Sequence, residues 1–341
     1  MKQQIFNTQV QTWKKHNINV KAIHSECEWN DCGGHDVDVI MTSPEMARSE
    51  VFSTFARKWL RSQLCLVAFD EAHVITEWST PEFRPDYARM SEVLTICKSS
   101  VELVLTATIT NEALMELQRV LCIEKLKVIA LSPDRPEIYL QVSSSKNFDW
   151  LLKELDEKRT QTGKVLIYVR SIMECTRVFE RFLLFFDGNL SSTGENCVEK
   201  RMVEMFSSIS STATKNRVLE KFAANTDLRI VIATLAFGMG IHIADIRTVI
   251  VYGLPETTTQ LWQQIGRACR DSKSGRAVIF PHTTSFLKTS AELKAIFKRP
   301  VFECIRKKIV SSIWHREMGN FERIEGCRCC SVCDEMDYES E

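Results

Sequence analysis

What the 341-residue sequence lacks already narrows its class. It has no excess of charge, since Lys+Arg and Asp+Glu each number 44 and the formal net charge is zero. Neutrality lends no support to a nucleic-acid partner and excludes none, because a cationic cleft on an otherwise acidic body also sums to zero. No uninterrupted apolar run approaches the about 20 residues that a membrane-spanning helix needs. Met1-Lys2-Gln3-Gln4 leads into no apolar core segment of the kind a secretory signal carries. No internal repeat at a solenoid period is evident. A reducing cytosolic or nuclear setting is therefore expected, with no membrane partner.

Hydrophobic residues make up 44% of the chain, which is ordinary globular composition, and the length suits about two domains. Cysteine is plentiful, with thirteen in all. Nine are scattered from Cys27 to Cys304, often inside apolar runs such as Leu64-Cys65-Leu66, where they read as small buried hydrophobes. The last four crowd between Cys327 and Cys333.

Short apolar runs alternate with longer helical patterns. Asp38 to Met41 ends in Thr42-Ser43-Pro44, Leu64 to Phe69 ends in Asp70, and Leu103 to Leu105 ends in Thr106. A second series comprises Lys164 to Val169, Arg229 to Ala233, Thr248 to Val251 and Ala277 to Phe280, with helical patterns at Arg217 to Phe222 and Thr258 to Cys269. Continuous apolar strands separated by helices predict parallel α/β sheets covered on both faces. The series break near Ser132-Pro133-Asp134-Arg135-Pro136, a plausible interdomain crossing. Much of the Gly- and Ser-containing stretch after Asp187 reads as loop. From about Ser285 the strand pattern stops, and the remainder is helical and charged.

Ligands of open α/β sheets sit at the carboxyl ends of strands. Asp70-Glu71-Ala72-His73 follows the most apolar strand. A carboxylate there can hold Mg²⁺, and its neighbour can orient or deprotonate the water that attacks a γ-phosphate. The alternative is a pair of surface acids capping a helix. In the helical pattern after Pro255, Gln263, Arg267 and Arg270 are spaced four and three apart, which predicts one shared face. Two such arginines can neutralise a transferring phosphoryl group, or can simply form a solvated basic face. Gly266 beside Arg267 disfavours the second reading, because a helix interior does not favour glycine without a reason.

These runs carry a family resemblance. Phe69-Asp70-Glu71-Ala72-His73, Trp78 with Phe83-Arg84-Pro85-Asp86-Tyr87, and Leu105-Thr106-Ala107-Thr108 resemble the second and third helicase motifs of the RecQ family and the aromatic-rich loop between them. Ser132 to Tyr139 resembles that family's lobe-joining segment. Ala233-Thr234 through Ala236-Phe237-Gly238-Met239-Gly240-Ile241 is similar to its fifth motif, and Gln263 to Asp271 to its sixth. DEAH boxes and QxxGRxxR-like helices are shared by other helicases, whereas the Phe83 to Tyr87 and Ala236 to Ile241 runs are far more specific.

The resemblance implies an ATP-driven 3′→5′ DNA helicase of the nucleus, acting on single-stranded and duplex DNA in repair and recombination. It implies two RecA-like parallel-sheet lobes, the first incomplete, with ATP between them, and a small helical zinc-binding subdomain. The expected bounds are 1–132, 133–284 and 285–341. It implies Asp70 on Mg²⁺, Glu71 as base, His73 coupling hydrolysis to movement, and Gln263, Arg267 and Arg270 on the phosphate side. Gly238 and Gly240 would lie by the nucleotide. Trp78, Phe83, Arg84 and Thr234 would meet DNA, with bases stacking on the aromatics. Ordinary core packing is the alternative for Trp78 and Phe83.

Cys327, Cys330 and Cys333 are spaced C-x₂-C-x₂-C, with Cys304 upstream, a set able to close a tetrahedral zinc site. Cys329 is a spare that could compete as ligand, and a redox-active tail is the alternative reading. The resemblance makes Zn²⁺ structural here.

No G-x-x-x-x-G-K-[ST] run exists in the sequence. Thr162-Gly163-Lys164 is a decoy, because Val165 follows and it precedes a strand. A truncated chain is expected, with a degenerate, DNA-binding remnant as the alternative, and an exposed sheet edge is expected in the first lobe. His242 stands where the family usually has Asp, Cys269 where it has Gly, and the usual histidine of the aromatic-rich loop is absent. An RNA-directed DEAH-type motor is a third reading, opposed by the cysteines and the Phe83 to Tyr87 run.

Overall fold

The computed structural model describes residues 9, 10, 12–25, 28, 29, 37–60, 63–78, 85–98, 101–143, 147–237, 243–281, 288–298, 303–315 and 329–338. The chain divides into two compact units, Met1–Ala130 and Leu131–Glu341.

In the first unit, β1 (Val20–Ile23) pairs parallel with β2 (Val39–Thr42), and β3 (Leu66–Phe69) pairs parallel with β4 (Val101–Val104). Helices α1 (Glu50–Phe55), α2 (His73–Trp78), α3 (Met90–Cys97) and α4 (Asn111–Leu121) accompany them. Polar residues start two of these helices: Ser49 Oγ accepts from Phe52 N and Thr110 Oγ1 from Ala113 N. Each such cap stabilises its helix by about 1 kcal/mol. Trp29 is the centre of a small aromatic core, with ring centroids 4.9 Å from Phe52 and 5.2 Å from Phe55. Among the described residues, β3 and β4 pair only with each other. Leu66, Val101, Leu103 and Leu105 are exposed there, where a parallel sheet would ordinarily be covered on both faces.

The second unit has the full layered form. Its parallel sheet runs in the order β5 (Ile138–Val142), β10 (Gly275–Phe280), β9 (Ile246–Tyr252), β6 (Lys164–Val169), β8 (Ile230–Ala233) and β7 (Val203–Phe206). Alternate side chains feed opposite cores, as the two-residue period of a strand requires. Leu166, Tyr168, Val231, Val249 and Ile279 face one core, built with α7 (Thr212–Ala223), α8 (Thr258–Ile265), α9 (Ala291–Ile296) and α10 (Ile305–Ser312). Val165, Ile167, Ile232, Ile250 and Phe280 face the other, closed by α5 (Asp149–Lys158) and α6 (Ile172–Phe185). Among the described residues of the tail, Leu293, Ile305, Ile309 and Cys330 join the first cluster.

The β5 edge is covered by the C-terminal segment and α11 (Ser331–Tyr338). Leu140 N donates to Cys329 O at 3.1 Å, Val142 N to Ser331 Oγ at 3.1 Å, and Tyr139 Oη to Asp334 Oδ2 at 2.5 Å. An edge strand protected in this way is withheld from pairing with other chains. Strand β7 arises inside the stretch whose Ser and Gly content reads as loop. Lys164, the decoy lysine, opens β6 buried, its ammonium 2.9 Å from Asp245 Oδ1.

Candidate functional site

The first unit brings the Asp70-to-His73 run onto the tip of β3. Asp70 is exposed, and its Oδ1 accepts from the Glu71 amide at 2.9 Å. Glu71 has φ 51°, in the left-handed region that non-glycine residues rarely adopt. Strain of this kind costs about 1–3 kcal/mol and concentrates at functional turns. The turn is fastened from behind, because Ala72 N donates to Leu105 O at 2.9 Å and Leu105 N to Phe69 O at 2.8 Å. The β3 tip and the Thr106-Ala107-Thr108 segment are therefore one backbone-bonded unit.

His73 begins α2 and is buried. Its Nδ1 lies 3.0 Å from Thr106 Oγ1 and 3.5 Å from Glu71 Oε2. Burial holds the imidazole below its ordinary pKa against the pull of the Glu77 and Asp70 carboxylates. Trp78 closes α2, and its side chain lies outside the described residues, as do Phe83 and Arg84.

In the second unit Thr234 follows β8, its amide donating to Phe206 O at 3.3 Å and its carbonyl accepting from Phe237 N at 3.1 Å. Gly238, Gly240 and His242 lie outside the described residues. The sequence pattern at 258–269 requires a correction. Helix α8 ends at Ile265 and Gly266 is its C-cap, so Gln263 is helical while Arg267 and Arg270 lie in the turns beyond. The expected single helix face is absent. The reason is local: Cys269 takes φ 57°, which no helix allows, and its amide bonds to Ile246 O at 2.9 Å. Cys269 thus adopts the conformation a glycine adopts most easily. Arg267 and Arg270 still converge, because both guanidinium charges act on the buried Tyr168 phenol at the end of β6. Burial pushes that phenol up to about 12 against the opposing pull of the two arginines.

A thiol cluster forms at the tail. Sulfurs of Cys304, Cys329, Cys330 and Cys333 all lie within 4.8 Å of one another, and all four residues are buried. Cys329 stands in this set beside the expected Cys304, Cys330 and Cys333, and Cys327 lies outside the described residues. The carbonyl of Cys329 is tied to β5 and its sulfur stands 3.4 Å from that of Cys304. Four thiolates at about 2.3 Å from one zinc ion stand about 3.8 Å apart. The separations of 3.4 Å for Cys330–Cys333 and 3.9 Å for Cys304–Cys330 fit that polyhedron. Hydrogen bonds from Cys304 and Cys329 pull the Cys330 thiol far below its ordinary range, and burial with the neighbouring Cys330 charge raises Cys333 to about 12. A metal ion bound by such a set would displace the thiol protons.

Two family models match the chain, DEAD/DEAH box helicase over residues 1–117 and helicase conserved C-terminal domain over residues 146–272. ATP-dependent DNA helicase Q1 of Rattus norvegicus is 29% identical over 268 residues, 77% of this chain and 40% of that protein. ATP-dependent DNA helicase RecQ of Haemophilus influenzae is 28% identical over 243 residues, 71% of this chain and 36% of that protein. These matches make the chain similar to the RecQ helicases. It spans about two fifths of the length of these curated relatives. In fold, the RecQ-like chain is similar to the Mycobacterium smegmatis helicase Lhr bound to ssDNA and AMP-PNP, with a TM-score of 0.57 at 19% identity, covering 80% of this chain and 36% of that one. No described helix of the RecQ-like chain is long and apolar enough to cross a membrane.

Sequence reasoning missed two residues of this RecQ-like site, Tyr168 and Arg135. Tyr168 carried no signal beyond its place at the end of a strand. The sequence offers Cys329 only as a spare ligand, because the C-x₂-C-x₂-C spacing favours Cys327. Arg135 stood in plain view in the Ser132 to Pro136 run, but its partners lie 131 to 134 residues away.

Proposed function

We propose that this chain works in ATP-driven unwinding of DNA, moving along single strands in the 3′→5′ direction. The observation that carries the reading is the β3 tip: an exposed carboxylate, a glutamate held in the left-handed region, and a buried histidine bonded to Thr106 on the adjoining segment. In this reading Asp70 holds Mg²⁺, the ion that neutralises the β- and γ-phosphate oxygens when bound. Glu71 takes the proton of the attacking water. His73 passes a change at the phosphates to the Thr106 segment through its hydrogen bond. Arg267 and Arg270 offset charge developing on the transferring phosphoryl group, an effect of about 10³–10⁵ in rate for comparable arginines. Trp78, Phe83, Arg84 and Thr234 meet the DNA strand, and Zn²⁺ on the four thiols holds the tail against β5 without taking part in chemistry. On family resemblance the setting is nuclear, in repair and recombination.

The test is ATP hydrolysis by the chain with and without single-stranded DNA, beside Glu71→Gln. DNA-stimulated turnover that disappears in Glu71→Gln supports the reading. DNA binding without turnover, unaffected by Glu71→Gln, favours a nucleic-acid-binding protein that keeps the fold; the lack of a G-x-x-x-x-G-K-[ST] run in the sequence is the observation on that side.

A further inference from the structure

We infer that Arg135 is the residue that positions Arg267 and Arg270. A helix leaves its last carbonyls without partners, and a cation is favoured at that end. At the end of α8 the partner is a side chain from far earlier in the sequence. Arg135 Nη1 donates to Gly266 O at 3.1 Å, and Nη2 to Ala268 O at 3.0 Å and Cys269 O at 3.2 Å. These carbonyls bracket Arg267 and directly precede Arg270. One rigid fork thus spans the turn that carries both arginines.

The fork is itself held from three sides. Its Nε donates to Glu137 Oε1 at 2.6 Å. Its backbone carbonyl accepts from buried Arg306 at 2.8 Å, and Arg306 also bonds Asp134 Oδ1 at 2.7 Å. Trp262 Nε1, one turn before the end of α8, donates to Pro133 O at 2.8 Å, and Gly275 N donates to Glu137 O at 3.1 Å. The Pro133-to-Glu137 segment is therefore a strap fixed to α8, α10 and β10 at once, and Arg135 is its contact with the arginine turn. The turn needs this hold. Its Cys269 is in the left-handed region, Ala268 and Cys269 are buried, and although the Cys269 carbonyl also accepts from Ser272 N at 3.0 Å, loss of the guanidinium would take this donor from the carbonyls of Gly266 and Ala268.

That the turn acts on a phosphoryl group rests on the proposed function; that Arg135 fixes the turn does not. The experiment separates the two. In the full chain, Arg135→Lys keeps the charge but cannot bridge three carbonyls, and Glu137→Gln keeps the guanidinium while loosening its orientation. Amide exchange is read by mass spectrometry over residues 266–272, with β6 and β8 as internal controls, and kcat and KM for ATP are read in DNA-stimulated hydrolysis. The expected result for Arg135→Lys is exchange faster by about tenfold in 266–272 alone, and kcat lower by about tenfold with KM held within about twofold. Glu137→Gln should move both in the same direction and by less, and it serves if the lysine variant does not fold. Unchanged exchange in the turn, or faster exchange with kcat untouched, overturns the inference. Faster exchange in a chain whose parent hydrolyses no ATP leaves Arg135 as the holder of the turn and removes the phosphoryl role.

Discussion

His73 and Thr106, thirty-three residues apart, are joined by a hydrogen bond whose direction the neighbouring bond decides. The Thr106 hydroxyl donates its proton to Thr108 O at 3.0 Å, so toward His73 Nδ1, also 3.0 Å away, its oxygen accepts. The imidazole is thus a donor at Nδ1, and the β3 tip is linked to the Thr106 segment by side chains as well as by backbone. Thr106→Val removes the acceptor with little change of shape. The buried Nδ1–H loses this acceptor, and stability should fall by about 1–3 kcal/mol. DNA-stimulated ATP turnover should fall about tenfold while single-strand DNA binding is retained, the signature of a lost coupling contact. Equilibrium unfolding and filter binding on the same preparation check both halves, and a variant with normal stimulation would remove Thr106 from the coupling path.

The same histidine gives a dependence on pH. Burial lowers its folded-state pKa below the ordinary 6.5, which the unfolded chain retains. The unfolded state then binds the proton more readily, so the stabilising contribution is present above 6.5 and is lost as pH falls from there through the lowered folded value. Wild-type protein should lose more of its thermal midpoint between pH 8 and pH 5 than His73→Asn does. Parallel curves for the two proteins would show that the imidazole does not carry this term.

Those residues were legible as types and not as partners, and the same division runs through the whole chain. Strands β3, β6, β8, β9 and β10 announce themselves because strands of a covered parallel sheet are continuous apolar runs. Strand β7 does not, because Val203 to Phe206 contains Glu204 and sits among serines, and its apolar character is completed only by Ile230 to Ala233 alongside. Strand β5 is masked by Pro136 before it and Gln141 within it. The end of α8 was illegible for another reason. Gln263, Arg267 and Arg270 keep helical spacing in the sequence, and only the carbonyl partners brought by Arg135 and the left-handed Cys269 turn the chain aside. Spacing likewise favours Cys327 over Cys329, whereas the pairing of Cys329 with β5 brings its sulfur to the cluster.

The thiol cluster can be tested by residue choice. Cys329→Ser should lose the ion, dropping zinc content from about one per chain, and should lower the thermal midpoint because the tail no longer seals β5. Cys327→Ser should keep both. Metal analysis of the two purified variants decides, and the reverse pattern would return the fourth place to Cys327. Chelation of the wild type should reproduce the Cys329→Ser midpoint.

Gly275 shows how closely the arginine turn is packed. A Cβ at that position would stand 2.4 Å from Arg247 O and 2.4 Å from Cys269 Sγ, so both a backbone carbonyl and a buried sulfur would have to move. Gly275→Ala should therefore destabilise the protein by about 1–3 kcal/mol or more, the usual cost of overfilling a packed site. Adding Cys269→Gly removes the sulfur clash and places glycine where φ is 57°. The double variant should recover part of the loss, since a left-handed residue with a side chain costs about 1–2 kcal/mol. It should not recover all of it, because the Arg247 carbonyl is unmoved and the buried thiol is gone. Chemical denaturation of the two single variants and the double variant closes the cycle. Additive losses would mean that Cys269 and Gly275 do not press on one another, and that the turn is held by Arg135, the Arg247–Asp271 pair and its backbone bonds to Ile246 and Ala244.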